Sequence, residues 1–125
     1  MPMKTVLVID DETSICKLIR RILEKKGYRV LEAFNGDQGM KLFNEHHPDL
    51  IITDLIMPEK EGLETIREIR KIDADVNFIA ISGGGISNPS LYLDFAKKFG
   101  AQEIFSKPID NKDLISAVDR LLKAD

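Results

Sequence analysis

The residues in this chain that could do chemistry are mostly acids, and they stand at the ends of short apolar runs. The run at residues 4–9 (KTVLVI) is followed by Asp10, Asp11 and Glu12, and the run at 49–53 (DLIIT) by Asp54. Two further runs end in a hydroxyl, Ser82, and in a cation, Lys107, which precedes Pro108. Carboxylates gathered in one place repel one another and raise their own pKa values. A hard cation resolves the conflict: Mg²⁺ takes oxygen ligands and typically keeps waters plus one or two carboxylates and a phosphate. Beside such an ion Asp54 is a nucleophile of the carboxylate type, able to form an aspartyl phosphate. Lys107 offers a point positive charge to one phosphoryl oxygen, and Ser82 a hydroxyl donor to another. Phosphoryl transfer needs chiefly positioning and charge neutralisation, which such a set supplies.

Each of these residues also has an ordinary structural reading. Adjacent acids after a strand serve as the N-cap and first-turn acids of the next helix. Asp54 alone fits a turn leading to Pro58, Ser82 the start of a glycine-rich loop, and Lys107-Pro108 a loop after a strand. What sets them apart is shared position, since each follows or ends an apolar run. In an open parallel sheet, ligands bind at the carboxyl ends of the strands, near a topological switch point. The surrounding elements therefore decide whether these side chains meet.

Short β-rich runs alternate with amphipathic stretches five times along the chain. Strands are expected at residues 4–9, 29–33, 49–53, 76–82 and about 102–106, where apolar and β-branched residues run without a turn signal. The first helix carries Ile15, Leu18, Ile19, Ile22 and Leu23 at helical spacing and is closed by Gly27. A second runs from about 36 to 45, and a third presents Leu63, Ile66 and Ile69. The fourth carries Tyr92, Phe95, Ala96 and Phe99 at i, i+3, i+4 and i+7, with Leu91 and Leu93 widening the stripe as a partner-facing side would. The fifth is capped by Asp110 and buries Leu114, Ile115, Val118, Leu121 and Leu122. Nearly all-apolar strands separated by helices predict a parallel sheet covered on both faces, and right-handed crossovers make it doubly wound.

The 125 residues are expected to form one domain, 1–125, with no linker or internal repeat. Hydrophobic residues at 43% and charged residues at 31% argue against disorder. A net charge of −3 gives no support to nucleic-acid binding through phosphate neutralisation. The single cysteine, Cys16, has no intrachain partner and fits a reducing compartment, as a small hydrophobe of the first helix. No signal peptide and no membrane-crossing apolar run is visible, so a cytoplasmic domain is expected.

With VLVIDDE at 6–12, DLIMPEKEG at 54–62, Ser82 and GAQEIFSKP at 100–108, the chain resembles, over nearly its whole length, the receiver domains of two-component response regulators of the chemotaxis-regulator type. The resemblance implies a flavodoxin-like sheet of order 2-1-3-4-5 with five helices. It implies Asp54 as phosphoacceptor, with Mg²⁺ held by Asp10, Asp11, Asp54 and the backbone carbonyl of Ile56. Ser82 is similar to the hydroxyl that moves onto the phosphoryl group, and Lys107 to the family's lysine. A cis peptide before Pro108 is implied as well. The implied partners are a sensor histidine kinase or histidine phosphotransfer protein as donor, and a downstream effector or output domain. Signalling would run through the fourth helix, fifth strand and fifth helix, with homodimerisation on activation as one outcome. Such a domain catalyses only its own phosphotransfer and slow autodephosphorylation.

Two departures stand against the family pattern. Three positions before the lysine, where Tyr or Phe is usual, this chain has Ile104, with Phe105 on the opposite face of the strand. The segment 83–89 is glycine-rich and longer than usual, and glycine is permissive at positive φ. They keep open a degenerate receiver acting as a constitutive interaction scaffold, against which the complete acidic set argues. A phosphatase of the aspartate-nucleophile type would show Asp-x-Asp, whereas Asp54 is followed by Leu55 and Ile56. His46 and His47 precede Pro48 at the amino end of the third strand, the wrong edge for the acidic site.

Overall fold

The computed structural model describes residues 3–55, 62–82, 94, 97, 98 and 100–122, with the backbone alone at Leu63 and Ser82. The strands are β1 (Thr5–Ile9), β2 (Arg29–Ala33), β3 (Leu50–Asp54), β4 (Asn77–Ser82) and β5 (Glu103–Ser106). All pair in parallel, in the order β2-β1-β3-β4-β5. The described helices are α1 (Thr13–Glu24), α2 (Gly36–His46), α3 (Gly62–Ile72) and α4 (Asn111–Leu122). The flavodoxin-like sheet order is as expected. Four helices rather than five are formed among the described residues, and α4 is the fifth of the expected set. The stripe from Leu91 to Phe99 lies outside the described residues, where only Asp94, Lys97 and Lys98 are described, each helical and exposed.

Side chains alternate across a strand with a period of two, and β1 shows why residues 6–9 have no polar position. Val6 and Val8 join a core cluster with Cys16, Ile19 and Leu23 of α1 and Leu114 and Val118 of α4. Leu7 and Ile9 join a second cluster with Phe43 of α2 and Ile66 and Ile69 of α3. A strand covered on both faces is apolar where the two cores meet it, and β1 is buried along its length. Leu18 departs from the expected face of α1: it is 42% exposed, while Cys16, Ile19 and Leu23 are buried against the sheet and Ile15 and Ile22 pack partly buried beside them.

Local chemistry sets where the helices begin and end. Gly27, at φ +93°, occupies the left-handed conformation that closes α1. Asn35 caps α2 by accepting the Gln38 backbone N–H at 2.8 Å, while the Gln38 side chain accepts the N–H of Phe34. Asp110 caps α4 through the Asp113 N–H at 3.0 Å, as expected. No described helix is long and apolar enough to cross a membrane.

The register brings the strand ends level. Ile9 pairs with Thr53, Thr53 with Ala80, and Asp54 with Ile81, so Asp10 and Asp54 emerge side by side. His46 and His47 sit at the other edge, where His47 ends α2 at φ 48°. Five residues of β3, about 13 Å at strand rise, separate that edge from Asp54.

Candidate phosphoacceptor and cation site

Asp10 follows β1 directly and is fully buried; its backbone N–H still reaches back to the Ala33 carbonyl of β2. Asp11, the next residue, is exposed. Asp54 ends the central strand at 5% exposure, its carbonyl accepting the Thr53 hydroxyl at 3.0 Å. A second feature fixes that backbone. A Cβ at Gly62 would lie 1.8 Å from the Asp54 carbonyl oxygen, so only glycine lets the start of α3 pass so close.

One carboxylate oxygen from each of Asp10, Asp11 and Asp54 falls within 4.8 Å of the others. Lys107, carried just past β5 and followed by a cis peptide to Pro108, reaches into this group. Its ammonium lies 3.2 Å from Asp54 Oδ2, 3.0 Å from Asp10 Oδ2 and 2.7 Å from Glu12 Oε1. Asp10 Oδ1 accepts the Glu12 backbone N–H at 2.9 Å. Its Oδ2 is buried and has no directed hydrogen bond, because Lys107 approaches it off the bonding angle.

The electrostatics follow from this packing. Burial pushes the Asp10 carboxyl up to about 6; the Glu12 N–H and the Lys107 ammonium pull it down, and the charge of Asp54 pushes it further up. Burial alone would lower the Lys107 ammonium, but the carboxylates of Glu12, Asp10 and Asp54 outweigh it and hold it above its ordinary value. Among the described residues, Lys107 faces the carboxylates of Asp10, Glu12 and Asp54, and Asp11 stands beside them, an excess of negative charge in a half-buried place. An all-oxygen donor set with a buried, undirected Oδ2 suits a hard divalent cation, which takes its ligands from carboxylate and carbonyl oxygens.

A family model described as the response regulator receiver domain matches residues 6–119. This chain belongs to the response regulator receiver family. The chemotaxis protein CheY of Bacillus subtilis is 35% identical over 118 residues, covering 94% of this chain and 96% of that protein. The crystal structure of a response regulator receiver domain protein from Clostridium thermocellum superimposes with a TM-score of 0.89 at 34% identity, over 98% of this chain and 96% of that one. The DNA-binding transcriptional regulator NtrC of Azospirillum brasilense is 34% identical over 99% of this chain, which spans 25% of that longer protein. The receiver domain is a signalling domain rather than a classical enzyme. The constitutive-scaffold alternative is not favoured.

Of the expected site residues, Asp10, Asp11, Asp54 and Lys107 come together. Ser82 is placed by its backbone at the end of β4, one position beyond the partner of Asp54 and opposite Ser106. Ile56 and the segment 83–89 lie outside the described residues. Ile104 packs partly buried against the α2–α3 core, and Phe105 against the α1–α4 core, so the two do take opposite faces. Cys16 is more than a filler. Its thiol donates to the Asp10 carbonyl at 3.4 Å, and burial pushes its pKa up to about 12. The contact that sequence reasoning missed is Glu12 with Lys107, 95 positions apart; only the folded register brings them together.

Proposed function

We propose that Asp54 is the phosphoacceptor of this receiver domain. The observation that carries the reading is the Lys107 ammonium 3.2 Å from Asp54 Oδ2, at the buried end of the central strand and beside Asp10 and Asp11. A carboxylate oxygen of Asp54 attacks the phosphorus of a phosphohistidine. The new O–P bond forms as the N–P bond breaks, and the leaving imidazole keeps the electron pair and takes a proton. Hydrolysis resets the site: water attacks phosphorus and gives up a proton to solvent, the O–P bond to Asp54 breaks with its electron pair on the carboxylate, and inorganic phosphate leaves. Lys107 neutralises one phosphoryl oxygen, and the Ser82 hydroxyl takes another.

Asp10, Asp11, Asp54 and the carbonyl of Ile56 are the residues that would hold Mg²⁺, which supplies charge neutralisation on the phosphoryl oxygens when bound. The fourth of the expected helices would form the signalling surface together with β5 and α4; of its stretch, Asp94, Lys97 and Lys98 are helical and exposed. We assign the whole of residues 1–125 to this one domain, acting in the cytoplasm. A sensor histidine kinase or phosphotransfer protein is the donor, and an effector or output domain, or a second copy on activation, is the reader.

The test is incubation with a small acyl-phosphate donor, followed by intact mass measurement with magnesium and with chelator. Wild type should gain one phosphoryl group only with magnesium, and Asp54→Ala none. Equal gain by the variant would remove Asp54 from this role.

A further inference from the structure

Glu12 is the N-cap residue of α1, yet its side chain makes no cap hydrogen bond. N-caps are favoured when a short side chain accepts from the first turn, and Glu is not among the good ones. What Glu12 gives the helix it gives through its backbone. Its carbonyl accepts from Ile15 and Cys16, and its N–H donates to Asp10 Oδ1. The carboxylate instead makes the shortest of the Lys107 contacts, at 2.7 Å.

An ammonium has three N–H donors and no acceptor. In this structure it donates directed hydrogen bonds to Glu12 and Asp54, and lies 3.0 Å from Asp10 Oδ2 without a directed bond. Phosphorylation turns the Asp54 carboxylate into an acyl phosphate, whose phosphoryl oxygens then share an ammonium that Glu12 already holds. Freeing Asp10 would leave a fully buried carboxylate without its cation, the expensive way to break an ion pair. The Glu12 side chain is 54% exposed and water takes it back at little cost.

We infer that Glu12 is a positioning residue that competes with the phosphoryl group for Lys107. It holds the ammonium in the resting domain and gives it up when Asp54 is phosphorylated, which sets how readily the domain charges. The inference rests on the phosphoacceptor reading of Asp54. It predicts a gain of function: removing the Glu12 charge leaves the acidic pair and the lysine in place and releases a donor.

The experiment is the initial rate of phosphoryl uptake from acetyl phosphate in magnesium, followed by intact mass, for wild type, Glu12→Gln and Glu12→Asp. Glu12→Gln should charge roughly threefold to tenfold faster, the scale of one charge-assisted bond on a partly exposed pair. Glu12→Asp, one methylene shorter with the charge kept, should lie between. Loss of an anion could also speed an anionic donor by simple repulsion, so the same change is made in Lys107→Gln protein. There the factor should fall to near one if Glu12 acts through the lysine. A full acceleration in that background would overturn the inference, and so would a Glu12→Gln rate equal to or below wild type. A wild type that takes up no phosphoryl group would overturn the phosphoacceptor reading and this inference with it; a wild type that charges beside an unaltered Glu12→Gln overturns the inference alone.

Discussion

Asp10 carries the clearest cost of the site at the scale of single residues. It is fully buried, and burial more than repulsion raises its carboxyl to about 6, with the charge of Asp54 a smaller contribution. The acid thus binds its proton more tightly in the folded than in the unfolded chain, where its ordinary value is 3.8. The stability this gives is full below about pH 4 and is lost as pH rises to about 6. At neutral pH the ionised, metal-free site is destabilising by on the order of 3 kcal/mol, from 1.36 kcal/mol per pKa unit. Asp10→Asn keeps an oxygen for the Glu12 N–H and removes the charge. In chelator at pH 7 it should be more stable than wild type by an amount of that order. The gap should close towards pH 4, and should also narrow with Mg²⁺, which binds the fully charged wild-type site more tightly and so stabilises it more. Paired denaturant melts check this. A variant less stable than wild type in chelator would mean that the carboxylate supports the fold instead of straining it.

At the scale of elements, close approach decides where Asp54 points. The start of α3 passes so near the Asp54 carbonyl that a methyl group at Gly62 would meet backbone, which has nowhere to go. Gly62→Ala should therefore destabilise the domain by about 3 kcal/mol or more, the scale of a severe steric defect. It should also slow phosphoryl uptake, since the Asp54 backbone must shift. A denaturant midpoint within error of wild type would contradict the packing. The same elements show what a sequence can disclose. The carboxyl ends of the strands were legible because Asp10, Asp54 and Ser82 interrupt or close runs whose apolar residues the sheet demands on both faces. The cap at Asp110 and the stop at Gly27 were legible because the backbone conformations there favour few residue types. Leu18 was misplaced because spacing alone gives a face wider than the sheet covers. The cause of the Asp10 shift and the Glu12–Lys107 pair were not legible either, since both depend on how deeply side chains are buried once five strands have been aligned.

At the scale of the whole molecule, the doubly wound sheet turns distant sequence into one site. Asp10, Asp54 and Lys107 reach the same edge because every strand runs the same way and the register levels their ends. The two faces are closed by separate cores, so the carboxyl edge is where polar groups can gather without breaking either. The central claim is that the phosphoryl group sits on Asp54, and an acyl phosphate has a chemistry that reports its own position. Borohydride reduces it, and the aspartate that carried it becomes homoserine. Wild-type protein charged with an acyl-phosphate donor in magnesium, reduced, digested and sequenced by mass spectrometry should show homoserine at position 54. Homoserine at another aspartate, or a charged protein whose residue 54 remains unreduced, would contradict the account.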